Sequence, residues 1–162
     1  MAAGLSMEEK NVESFRDCIN EQCMLSDDDL CAKVQLDMVL PLSVISEEFI
    51  NELSIMEPFG RGNRKPVFVT RDVLILKTTV MGKNKKSLRF LVRDERGTTI
   101  EALYFKDCDY FFSWLSRKYP DCSKERFLQG QERNVKMTIA YYPSLNEYNG
   151  RKKLQIIIGH IL

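Results

Sequence analysis

Little in this sequence could serve as a catalytic centre. It has a single histidine, His160, whereas a metal that activates water needs several converging ligands. Gly-x-Ser-x-Gly, P-loop and His-Glu-x-x-His patterns are all missing. Asp27, Asp28 and Asp29 stand together, but neighbours in a turn rarely converge on one ion, and they read as a solvated turn. The five cysteines, Cys18, Cys23, Cys31, Cys108 and Cys122, are odd in number and make no Cys-x-x-Cys pair. That argues against a zinc ribbon and a disulfide framework. They read as reduced, mostly buried thiols of a cytoplasmic protein. No apolar run approaches the roughly 18 residues of a membrane span. The start, Met1-Ala2-Ala3-Gly4-Leu5-Ser6, lacks the basic and apolar regions of a secretory signal. No membrane partner is expected.

What is present is an uneven spread of charge. The formal net charge is +1. Yet residues 1–63 carry 4 Lys+Arg against 13 Asp+Glu, and residues 64–162 carry 20 against 10. Two functional units are implied, the second suited to a polyanion.

The acidic part reads as mixed α and β. Ser6-Met7-Glu8-Glu9 fits a capping box, followed by Val12, Phe15, Ile19 and Cys23 at helical spacing to about Met24. Ala32, Val34, Leu36, Met38 and Leu40 alternate with polar residues, which predicts a strand with one buried face. Ser46 caps a second expected helix bearing Phe49, Ile50, Leu53 and Met56. The stretch 57–66 then holds two prolines and two glycines, so it reads as a boundary, with Phe59 as a packing anchor.

Beyond it the periodicity is that of strands. Val67–Met81 is long enough to bend midway. Ser87–Arg93 alternates Leu88, Phe90 and Val92 with Arg89, Leu91 and Arg93. Thr98–Phe105 forms a third strand and Lys106–Tyr119 a helix. Val135–Tyr141 is a fourth strand, Pro143–Gly150 a loop, and Leu154–Leu162 a fifth strand. Five strands with one helix between the third and fourth predict an all-β OB-fold barrel after an α+β remnant. The expected division is residues 1–57, a Pro/Gly linker at 58–66, and the barrel at 67–162.

OB barrels bind oligonucleotides on the face of strands two and three, beside the loops joining strands one to two and four to five. The first loop supplies Lys83, Lys85 and Lys86, and the last supplies Tyr148, Arg151, Lys152 and Lys153. Strand two offers Arg89 and Arg93. The two loops are expected to converge on one groove. Cations there answer phosphates, and Tyr148, Phe105 and Tyr142 offer faces on which unpaired bases stack. The plainer alternative is that loops are lysine-rich because they are wet, with Tyr148 bracing its hairpin.

Pro58-Phe59-Gly60-Arg61-Gly62-Asn63-Arg64-Lys65-Pro66-Val67-Phe68 resembles the P-F-G-x-G-N-x-x-P-x-F signature of RecJ single-stranded-DNA exonucleases. That signature lies between their DHH-associated and OB domains. Ala2-Ala3-Gly4-Leu5-Ser6 is similar to the segment after the family's Gly-Gly-His motif, and Phe15-Arg16-Asp17 to the helix that follows. Asn146-Glu147-Tyr148-Asn149-Gly150 with Leu154-Gln155 resembles a run near the end of the OB domain. The sequence departs from the pattern at Arg64, where proline is usual, and at Ser87-Leu88, where His-Leu is frequent.

The resemblance implies that residues 1–57 are the end of a DHH-associated domain and that the chain is part of a longer enzyme. Such enzymes degrade single-stranded DNA 5′ to 3′ in repair and recombination, using Mn or Mg held by aspartates and histidines. This chain has no Asp-His-His or Gly-Gly-His, so by itself it is expected to be inactive, with no cofactor of its own. Its implied partners are single-stranded DNA, the upstream catalytic domains and a single-strand-binding protein. Two rivals stand beside this reading: a module that docks a repair protein or its own catalytic core, and an independent RNA- or tRNA-binding protein.

Overall fold

The computed structural model describes residues 4–30, 33–84, 86–132 and 134–162. Two compact units emerge, residues 1–34 and residues 35–162. The second begins well before the expected barrel start at 67.

In the first unit, helix α1 spans Val12–Gln22, after a 3-10 turn at Glu9–Asn11. The capping box expected at Ser6 does not form; Asn11 is the N-cap and makes no side-chain cap bond. Val12, Phe15 and Ile19 share a face as their spacing predicts, but all three are exposed. A short helix α2, Asp27–Leu30, stands where a turn was expected. Its start is tied by Asp29, whose Oδ2 accepts from the Ser26 N–H at 3.0 Å and hydroxyl at 2.7 Å. Those bonds hold the Asp29 carboxyl below its usual range. Cys18 and Cys23 are exposed, Cys108 half-buried and Cys122 buried, so the described thiols are not mostly buried. Cys31 and Ala32 lie outside the described residues.

The second unit opens with a much shorter strand than expected: β1 is only Met38–Val39. Of the described residues in the alternating apolar set, only Leu40 is buried, and Met38 is 56% exposed. A strand exists where it has a partner, and here that partner is the first turn of β2 alone. Met38 and Val39 pair in parallel with Phe68 and Val69, and the Val67 N–H donates to Asp37 Oδ2 at 2.8 Å. Helix α3, Glu47–Ser54, starts as predicted, with the Phe49 N–H donating to Ser46 Oγ at 3.1 Å. Leu53 is buried and Phe49 meets the Phe68 ring at 5.5 Å. Met56 falls past the helix end and is exposed.

The 58–66 stretch is built into the unit rather than strung between units. Asn63 Nδ2 donates to the carbonyls of Met56 and Pro58 at 2.7 and 3.0 Å. Phe59 packs edge-on against Tyr142 at 6.3 Å, and Lys65 Nζ sits 3.6 Å above the Tyr142 ring.

The barrel strands are β2 (Phe68–Met81), β3 (Ser87–Arg93), β4 (Thr99–Tyr104), β5 (Lys136–Tyr148) and β6 (Arg151–Ile161). They run in the order β2-β3-β4-β6-β5, and β5 returns to β2, so the sheet closes. The pairing of β4 with β6 is parallel and the other barrel pairings are antiparallel. β2 bends midway as its length suggests. Its register shifts after Thr70, Asp72 takes φ 50°, and the strand passes from β5 to β3. Inside lie Val73, Leu88, Phe90, Val92, Ala102, Met137, Ile139 and Ile156, all fully buried.

Two helices, not one, come between β4 and β5 in the chain: α4 (Cys108–Lys118) and α5 (Lys124–Leu128). Phe111, Phe112, Trp114 and Leu115 of α4 and Phe127 of α5 are buried, and Phe111 meets Phe90 at 4.9 Å. The signal for α5 was present in Ser123, whose Oγ accepts from the Arg126 N–H at 3.3 Å.

The expected loop at 143–150 is mostly strand. Pro143 pairs with Ile156 inside β5. This is tolerated because β5 parts from β2 after Tyr141, so the missing proline N–H removes no ladder bond on that side.

Candidate nucleic-acid interface

The outer surface of the barrel between β2 and β6 is set by the two-residue period of its strands. On β3, Arg89, Leu91 and Arg93 are exposed while Leu88, Phe90 and Val92 are buried. On β4, Glu101 and Leu103 are half-buried on the outer side. The register puts Arg89 opposite Leu103, Leu91 opposite Glu101, and Arg93 opposite Thr99. Lys77 and Thr79 of β2 stand opposite Leu91 and Arg89. Lys77, Thr79, Arg89, Phe90, Leu91 and Glu101 line a shallow depression of about 270 Å³. The surface is therefore apolar at Leu91 and Leu103 and cationic at Lys77, Arg89 and Arg93. Phe105 follows β4 directly and is 59% exposed.

The two basic loops do not converge. The turn that follows Met81 lies where Met81 pairs with Ser87 and Leu88 with Tyr104. Arg151–Lys153 lie at the other end, because β6 runs parallel to β4 and pairs Gln155 with Glu101. They bracket the β3–β4 surface from opposite ends, roughly 17 Å apart along six residues of β4. Lys83 and Lys86 are exposed; Lys85 lies outside the described residues.

The Arg-Lys-Lys run is itself divided. Lys153 Nζ meets Glu101 Oε1 at 2.6 Å, which draws it onto the β4 surface. Lys152, one residue along, turns the other way and is ion-paired with Glu47 of α3. That hydrogen bond, then the Glu47 charge, raises the Lys152 ammonium above its usual range. Arg151 is exposed and pairs with Tyr148 across an Asn149-Gly150 turn, with φ 51° and 70° at the two central residues. Both positive values fit a type I′ hairpin turn, which Asn-Gly favours. Tyr148 at its tip is 73% exposed. Tyr142 lies between buried Tyr141 and Pro143 on the outer side of β5, but Lys65 and Phe59 cover its ring and leave it half-buried.

His160 is exposed on β6, opposite Ala140. Burial of part of its ring, then the Lys106 ammonium, holds its imidazole below the usual range. Among the described residues one trio could hold a cation, Asp107, Cys108 and Asp109, with donor atoms within 4.8 Å of one another. Asp107 already caps α4, its Oδ1 accepting from the Asp109 N–H at 3.0 Å. Sequence reasoning passed over this trio, and also Lys77 and Leu103, whose outward positions follow from register alone.

No helix among the described residues is long and apolar enough to cross a membrane. The family model for the RecJ OB domain matches residues 36–160. The single-stranded-DNA-specific exonuclease RecJ of Bacillus subtilis (strain 168) is 26% identical over 160 residues, which make up 98% of this chain and 18% of that protein. The enzyme of the same name from Haemophilus influenzae is 25% identical over 164 residues, 99% of this chain and 25% of that protein. The chain thus spans a quarter or less of these curated relatives. RecJ from Thermus thermophilus, in a crystal structure with Mn2+, superposes with a TM-score of 0.61 at 17% identity, over 97% of this chain and 20% of that one. Its Mg2+ complex gives a TM-score of 0.60. These superpositions establish a shared fold.

Proposed function

This chain belongs to the RecJ OB-domain family, and from that premise we propose that it is a single-stranded-DNA-binding portion of a RecJ-like exonuclease, without a catalytic centre of its own. The observation that carries the proposal is the outer β3–β4 surface, where Arg89 and Arg93 flank Leu91, with Phe105 at one end and Lys153 at the other. Guanidinium groups meet phosphates, and the apolar and aromatic faces take unstacked bases. Lys83, Lys86, Arg151 and Tyr148 extend the contact at the two ends. Lys152 is better assigned to bracing α3.

On this reading residues 35–162 form one nucleic-acid-binding unit, since the compact unit and the family match both begin there. Residues 1–34 then belong to the end of the DHH-associated domain. In the complete enzyme the barrel passes the strand toward a nuclease site held in upstream domains, where Mn or Mg would act.

Fluorescence anisotropy with labelled oligo-dT tests this. Affinity is expected to fall with salt by roughly 0.7 log unit per log unit for each phosphate neutralised, and duplex DNA is expected to bind less well. An absence of oligo-dT binding at low salt would favour the docking module, and tighter binding of oligo-rU the RNA-binding rival.

A further inference from the structure

At the end of the β3–β4 surface near the turn that follows Met81, the barrel has a cavity of about 340 Å³ lined by Tyr104, Lys106, Asp107, Tyr110, Gly159, His160 and Ile161. That volume is at the small end of ligand pockets, about 300–1,000 Å³. Tyr104 is the last residue of β4 and only 1% exposed. Its hydroxyl is buried and has no hydrogen-bond partner. Native folds rarely leave such a group unanswered. Burial, then Tyr110, Asp107 and Cys108, push this phenol up to about 12, so it stays a neutral donor.

We propose that this cavity takes one unstacked base of the bound strand, with the Tyr104 hydroxyl bonding to the base edge and Lys106 meeting the adjoining phosphate. The proposal rests on the strand-binding reading above. Three features favour a base over a bare phosphate. The wall offers an acceptor, Asp107, as well as donors, and a carboxylate repels phosphate. Tyr110, which is exposed at the rim, supplies an aromatic face. Phe105 sits between Tyr104 and Lys106 in the chain and leads from the open surface to the cavity. Entry requires the exposed rim side chains Lys106 and Tyr110 to turn outward. A base held by its edge gives the barrel a nucleotide preference at one position, which the open surface alone does not provide.

The single histidine makes the test direct, because His160 lines the cavity and the proton on its Cε1 gives one assignable resonance. Oligo-dT is titrated into the full chain at about pH 8, where an imidazole of lowered affinity for protons is neutral, with anisotropy and this resonance followed together. Both are expected to change over the same concentrations. Tyr104→Phe is expected to weaken binding roughly three- to tenfold with an unchanged or higher melting temperature, since it deletes only an unpaired hydroxyl. Should that variant fold poorly, Lys106→Gln is the second, expected to lower the salt slope by about 0.7. If anisotropy saturates while the imidazole signal stands still, or Tyr104→Phe binds as well as wild type, the base pocket is wrong and the strand-binding surface survives. If anisotropy never changes, both are wrong.

Discussion

Arg89 and Glu101 make opposite contributions to the same surface. Arg89 is exposed, whereas Glu101 is half-buried and holds Lys153 at 2.6 Å. Arg89→Ala should reduce the salt slope of oligo-dT binding by about 0.7. Glu101→Gln should tighten binding instead, because it releases Lys153 and removes a negative charge; a salt titration of both variants checks the signs. Lys152→Ala should leave affinity nearly unchanged, its ammonium being committed to Glu47. His160 links residue to pH. Its folded imidazole binds protons less well than the unfolded one, so the unfolded chain takes up the proton first. Stability should therefore be level above about pH 6.5 and fall as the pH drops below it. Thermal melts of wild type and His160→Gln should differ in that window alone.

At the scale of elements, a few polar groups hold the segment before the barrel against it. Asp94 is buried in the β3–β4 hairpin, where its carboxylate accepts from the Leu42 N–H at 3.1 Å and the Thr98 N–H at 2.8 Å. Thr70 Oγ1 donates to the Leu40 carbonyl at 2.6 Å and lies 3.0 Å from the Tyr141 hydroxyl. Asp94→Ala strands two N–H groups, one of them buried, and should cost about 2–4 kcal/mol of unfolding free energy by denaturant melts. The β5–β6 hairpin tip is a different case. Tyr148→Ala should leave stability within roughly 0.5 kcal/mol, because the ring is mostly exposed, while costing about 1–3 kcal/mol of strand binding by anisotropy.

For the whole molecule, the decisive matter is where the folded unit begins. Leu40, Leu42, Ile45 and Leu53 belong to the same buried cluster as Phe68, Phe90 and Tyr141. Burying each such side chain contributes about 1.5–3 kcal/mol, and together they rival the stability of a small domain, about 5–15 kcal/mol. A 35–162 fragment should melt cooperatively and bind oligo-dT as the full chain does. A 67–162 fragment, the barrel expected from periodicity, should be largely unfolded by circular dichroism. The sequence did not disclose this, because Leu42 and Ile45 follow no regular period and the prolines and glycines at 58–66 look like a linker. Phe59 and Lys65, both packed on Tyr142, and Arg64, bonded to Gln35, tie that stretch to the body at long range.

Local patterns settled what local physics can settle. The alternation at Ser87–Arg93 assigned inside and outside correctly, since a strand has only two faces. Ser46 marked a helix start, and the Pro58–Phe68 run identified the family. Long-range pairing decided the rest. The shortness of β1 depended on how much of β2 was free to receive it, and the extension of β5 through Pro143 on its pairing with β6 alone after β2 has parted from it. The separation of the basic loops depended on β6 running parallel to β4. Each of these is a relation between segments distant in the chain, and no window of residues contains it.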